Sequence, residues 1–144
     1  MQHTFHPGLK LLFAAFISAL IATPAVAQED DENILDRHAY RLHSSSTTGV
    51  APVSGEKYSY VVEADCLLDE TQAKAYSTAL TDSLASAQPD LGKVAVFLYM
   101  DGMDPASVAY AKAVRVGGEM EEQTVQGFVA RHYPEWREAK SCQW

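Results

Sequence analysis

The stretch Lys93–Gly118, KVAVFLYMDGMDPASVAYAKAVRVGG, decides the fold. Val94 to Met100 is an unbroken apolar run rich in Val, Phe and Tyr, with Gly92 before it and Asp101-Gly102 after it. Its length, side chains and flanking turn residues predict a central strand buried on both faces. Asp101-Gly102-Met103-Asp104-Pro105 then supplies turn chemistry, since Gly accepts a positive φ and Pro presets its own φ without offering an N–H. The element after the turn has two readings. Asp104 as N-cap, Pro105 as first helical residue and Gly117 as stop would frame an Ala-rich helix over 105–116. With period two, Ala109, Ala111 and Ala113 fall on one face and Val108, Tyr110, Val114 and Val116 on the other, Lys112 being the exception.

Upstream, Tyr58 to Cys66 alternates in part: Tyr58, Tyr60, Val62 and Ala64 lie on one side, Ser59, Val61, Glu63 and Asp65 on the other. This predicts a first strand with one more polar face. Asp69-Glu70-Thr71-Gln72 has the form of a capping box and opens a helix to about Ala87. Ala73, Tyr76, Leu80, Leu84 and Ala87 recur at spacings of three and four, a stripe suited to lying on a sheet. Gln88-Pro89-Asp90-Leu91-Gly92 ends that helix and leads into the central strand. Downstream, acids at the start of Glu119–His132 and Arg131-His132 at its end suit the dipole of a second helix. Pro134 interrupts it, and Trp136 and Trp144 are placed to cover an open end of the core.

An apolar strand ending in an aromatic, a Gly-Met turn and an Ala-aromatic-Ala strand occur together in Phe97, Leu98, Tyr99, Gly102, Met103, Ala109, Tyr110 and Ala111. This combination resembles an uncharacterised family of small bacterial β-α-β-β domains, in which a strand ending like "FYLPGM" precedes one like "AWA". The chain departs from that pattern at Met100-Asp101 and in having Tyr110 in place of Trp. The resemblance covers about a third of the chain; it implies a fold and no activity, and it favours the strand reading of 105–116. The expected fold class is α+β: a small, mostly antiparallel sheet of three or four strands, one helix packed on a face and a C-terminal helix closing it.

Residues 1–27 have the form of a signal peptide: Lys10, an apolar run from Leu11 to Ala22, Pro24 and the small-residue pattern Ala25-Val26-Ala27. The apolar run is too short to span about 30 Å of hydrocarbon, which needs roughly 20 residues. Cleavage after Ala27 would leave a chain that is periplasmic or secreted and not stably inserted in a membrane. Residues 28–55, from the acidic QEDDE to the Ser44–Gly49 run, read as a flexible segment, with Asn33–Leu42 a short helix or edge strand; 56–144 read as a single domain. The formal net charge of −8 argues against nucleic acid, whose affinity is built from cationic contacts.

Two cysteines in an exported chain, Cys66 and Cys142, predict one structural disulfide. No close Cys pair of the redox type is present. His38 and His43 are five apart and share a face in neither helix nor strand, so they make no metal pair; His132 reads as a helix-end cation. No cofactor motif, metal-ligand spacing or catalytic constellation is found, and Asp101-Gly102-Met103-Asp104 lacks the alternating oxygen ligands of a calcium loop. Tyr58, Tyr60, Tyr99 and Tyr110 are core residues or, if a sheet face is left uncovered, a candidate binding face. Together these features favour a non-enzymatic envelope module that binds a protein or peptide partner. The alternative is a small secreted hydrolase or carbohydrate-active protein using Asp101, Asp104 or Glu119.

Overall fold

The apolar run of the central stretch becomes the middle strand of a sheet. The structure, a computed structural model, describes residues 33–48 and 54–144; the signal-peptide reading of 1–27, the QEDDE run and Gly49 lie outside them. In chain order the strands are β1 (Ala39–Thr48), β2 (Gly55–Glu63), β3 (Lys93–Met100), β4 (Ala111–Val116) and β5 (Glu119–Val125). Among the described residues they form one five-stranded sheet in the order β1-β2-β3-β4-β5. Only β2 and β3 are parallel; the other three pairs are antiparallel. The parallel pair is bridged by α1 (Glu70–Ala87), the crossover that parallel neighbours require. The class is α+β, with one main helix, a short C-terminal helix α2 (Pro134–Arg137) and one disulfide.

The helix begins where its capping box places it. The Gln72 N–H donates to Asp69 Oδ1 at 2.8 Å and the Asp69 N–H donates to Gln72 Oε1 at 2.9 Å. Ala73, Tyr76 and Leu80 of the predicted stripe are buried, together with Ser77 and Thr81. The two hydroxyls are satisfied within the helix, Thr81 donating to the Ser77 carbonyl at 2.7 Å and Ser77 to the Lys74 carbonyl at 3.0 Å. Opposite them, Val94, Val96, Leu98 and Met100 of β3 are almost fully buried.

Four segments differ from expectation. Glu119–Val125 is a strand: Gly117 and Gly118, at φ 57° and 87°, make a two-residue hairpin between the paired residues Val116 and Glu119. Positive φ at both central positions is what such a turn requires, and the following side chains alternate between exposed and half-buried. The segment after Pro105 is strand only from Ala111 to Val116. Residues 105–110 loop out, held by Asp104, whose Oδ1 accepts from the Ala106 N–H and whose carbonyl accepts from Ser107 Oγ. The Ser/Thr run Ser44–Thr48 lies in β1 and pairs with Ser59–Gly55 of β2. At a solvent-facing edge its polar side chains cost nothing, and the backbone gains a ladder partner. Tyr58–Cys66 is accordingly the second strand, is shifted to Gly55–Glu63, and is buried on both faces over Tyr58–Val62.

At the start of β2, Gly55 faces Lys93 across the parallel pair. A Cβ there would meet the Lys93 carbonyl oxygen at 2.4 Å and its Cβ at 2.5 Å. Since those atoms are backbone or near-backbone, Gly55→Ala is expected to destabilise the fold by about 1 to 3 kcal/mol, the usual cost of overpacking. Urea unfolding checks this; an unchanged midpoint would contradict the close approach.

The C-terminal segment closes one end of the sheet. Trp136, buried, donates its Nε1–H to the Asp101 carbonyl at 2.8 Å, while Trp144 stays exposed. Cys66 and Cys142 are bonded, with Cα atoms 4.9 Å apart. Beside them, the Leu67 N–H donates to the Lys140 carbonyl at 2.9 Å and the Cys142 N–H to the Leu67 carbonyl at 3.0 Å.

Candidate functional site

The strand register sorts side chains onto two faces. Arg115 pairs with Asp82 of α1 at 2.5 Å, and Gln123 bonds to the Lys74 carbonyl and Thr78 Oγ1. Those residues and the ones opposite them therefore face the helix. Phe97, Tyr99, Lys57, Lys112 and Glu122 point to the other face.

The four tyrosines offered by the sequence as a binding face are all buried and are not on one surface. Tyr58 and Tyr60 stack at 6.4 Å beneath the helix, and the Tyr58 hydroxyl accepts from Gln88 Nε2 at 2.8 Å. Tyr110 donates to the Leu68 carbonyl at 2.5 Å. Only Tyr99 lies on the face away from the helix, its hydroxyl donating to the Ser107 carbonyl at 3.3 Å. Alternation within a strand shows which side chains share a face of that strand, not what covers the face.

What that second face does offer is a cleft of about 360 Å³, walled by the loop Pro105–Ala109 and floored by Phe97, Tyr99, Lys57 and Lys112. Lys57 Nζ stands 4.3 Å above the Phe97 ring centroid and Lys112 Nζ 5.5 Å from it. Each contact is worth about 0.5 to 1 kcal/mol at a partly exposed site. Glu122 takes Lys112 in an ion pair at 2.6 Å, whereas Lys57 has no carboxylate partner among the described residues. Beyond the loop, Val108, Phe128, Val129, His132 and Tyr133 line an apolar groove of about 190 Å³ that shares Ser107 and Val108 with the cleft. Val108 and Phe128 are 52% and 53% exposed, which marks the groove as uncovered apolar surface. A further shallow hollow lies over Asp82 and Arg115, both already engaged with each other.

The carboxylates proposed for acid–base work are not assembled. Asp101 follows the last residue of β3, while Glu119 pairs with Val116 beside the first. An eight-residue strand separates them, about 23 Å at roughly 3.3 Å per residue. Asp104 is occupied in its turn, and Asp101 lies 3.6 Å from Arg41. Glu119 therefore cannot share a substrate atom with Asp101.

Another juxtaposition has no signal in the local sequence. His38, just before β1, sits beside the Cys66–Cys142 bridge, and its imidazole and the two sulfurs all lie within 4.8 Å of one another. The His38 Nε2 is buried and has no hydrogen-bond partner. The residue is fixed from behind by Tyr76, whose hydroxyl donates to the His38 carbonyl at 2.6 Å and lies 3.3 Å from the Leu35 carbonyl.

Among the described residues no helix is long and apolar enough to cross a membrane. Comparison with protein-family models, with curated proteins and with solved structures finds no match to this chain, so what it does rests on its own geometry.

Proposed function

We propose that the protein is an exported, non-enzymatic binding module that takes a peptide segment of a protein partner in the cleft and groove around the loop Pro105–Ala109. The observation that carries this reading is the exposed pair Val108 and Phe128 in an apolar groove continuous with a cleft holding Lys57 over Phe97. The groove accepts an apolar side chain by burying surface on both partners. Lys57, one step away, pairs with an acidic side chain or a terminal carboxylate of the same segment. Asp104 engaged in its turn, Asp101 beside Arg41 and Glu119 at the far end of β3 favour binding over hydrolysis. Export is supported by the signal-like residues 1–27 and by the disulfide, which persists in oxidising compartments.

The test is capture from envelope extract on the immobilised protein, followed by the same capture with Phe128→Ser and Lys57→Glu. One protein retained by the parent chain, and lost at least tenfold on either substitution, is the expected result. Retention unaffected by both substitutions, or no retention at any salt concentration, would overturn the assignment of this surface. Both side chains lie outside the buried core, so the variants should fold, and unchanged far-ultraviolet circular dichroism verifies that they do.

A further inference from the structure

We propose that, when its disulfide is reduced, the protein binds a zinc ion through His38, Cys66 and Cys142. Three donors of the types zinc prefers converge within 4.8 Å, although they come from three separate parts of the chain. A tetrahedral centre with Zn–S near 2.3 Å sets its sulfurs about 3.8 Å apart and its nitrogen slightly closer to each; here the sulfurs are bonded to each other, so they must part to that distance before a metal enters, with the imidazole already beside them. The second observation is the His38 Nε2, a buried nitrogen without a partner. Such an atom is costly to leave unmet, and a metal in place of the bridge would meet it.

The donors are held by contacts other than the S–S bond. Leu67 is tied on both sides of its peptide to the C-terminal segment, at 2.9 Å to Lys140 and 3.0 Å to Cys142. Gln72 Nε2 donates to the Cys142 carbonyl at 3.0 Å from the first turn of α1. His38 is anchored through its carbonyl to Tyr76. When the bridge opens, the sulfurs separate by side-chain rotation while their backbones stay paired.

Charge selects the metal. Two thiolates and a neutral imidazole around Zn²⁺ make a neutral centre, whereas Cu⁺ would leave one negative charge in a partly buried site, which desolvation opposes. Cys142 is buried and Cys66 only half-buried, so water can fill the fourth position from the Cys66 side. The disulfide takes two electrons and two protons from a dithiol reductant, which closes to its own disulfide. Zinc then displaces the two thiol protons, and its oxidation state does not change.

The experiment uses the protein reduced with a phosphine, freed of reductant without air and titrated with Zn²⁺, with the oxidised protein alongside. The expected result is one zinc per reduced chain, protection of both thiols from a disulfide reagent, and none bound to the oxidised chain. Cobalt substitution should give a thiolate charge-transfer band and the visible bands of a four-coordinate ion. His38→Ala should weaken zinc at least tenfold with both thiols still present. Zinc uptake by the oxidised chain, equal affinity in His38→Ala, a six-coordinate cobalt spectrum, or a reduced chain that takes up no zinc would each overturn the proposal.

Discussion

Reducing the Cys66–Cys142 bridge is expected to lower the unfolding free energy by about 4 to 5 kcal/mol without dismantling the fold. The bridge spans a sequence separation of 76. On the chain-entropy estimate a loop of this size restricts the unfolded ensemble by that amount. Small domains are stable by about 5 to 15 kcal/mol, so the loss is a large share of the whole. The fold should nevertheless survive, because Leu67, Gln72 and Trp136 keep the C-terminal segment in place through hydrogen bonds that do not involve sulfur. Urea unfolding with and without reductant measures the difference. A loss under 1 kcal/mol would mean that the reduced chain keeps the same constraint in its unfolded state. If zinc occupies the reduced site, saturating metal should return about 2.7 kcal/mol at a concentration one hundred times its dissociation constant.

Alkaline pH is expected to act on the same small reserve through the tyrosines. Burial pushes the Tyr110 hydroxyl up to about 12, with the nearby Asp69 and Glu70 adding to the shift. Tyr76 is raised further by burial, then by Tyr40 and Asp36. Tyr58, Tyr60 and Tyr99 move in the same direction, burial being the main cause in each. A phenol that donates to a buried carbonyl, as Tyr76 and Tyr110 do, must keep its proton. The folded state therefore holds protons that the unfolded chain releases near pH 10. Stability from these groups is complete below pH 10 and falls as pH rises toward about 12, the folded value for Tyr110. Each such group contributes about 1.4 kcal/mol per pH unit over that window, so Tyr76 and Tyr110 together make unfolding above pH 10 steep. Thermal midpoints between pH 8 and 11.5 check this, and Tyr110→Phe should flatten the profile. A flat profile in the parent chain would show that the phenols ionise without unfolding the protein.

How much of this was legible depended on burial. Val94–Met100 and the helix from Glu70 were readable because their apolar content follows a clear period and their ends carry turn and cap chemistry. Glu119–Val125 was not, because an edge strand with acids on it has the same charge order as a helix entering its dipole. The signal that decides it is Gly117-Gly118, a dipeptide suited to a two-residue hairpin. The tail of β1 was obscured likewise, since Ser and Thr at a solvated edge look like a linker. The site was less legible still. Phe128 and Val108 read as ordinary apolar members of elements, and only packing shows them left uncovered. The meeting of His38 with the two cysteines depends on a long-range contact through Tyr76 that no local pattern encodes.

The sheet order repeats the chain order, each strand lying beside the one that precedes it. Assembly can then proceed like a ribbon being laid down from one side. Every new strand finds its neighbour already waiting, and only the helical crossover between β2 and β3 demands a long search. Rates of folding fall as partners lie farther apart along the chain. A mixed sheet, usually slow because its parallel strands must find one another at a distance, is here relieved of all but one such encounter.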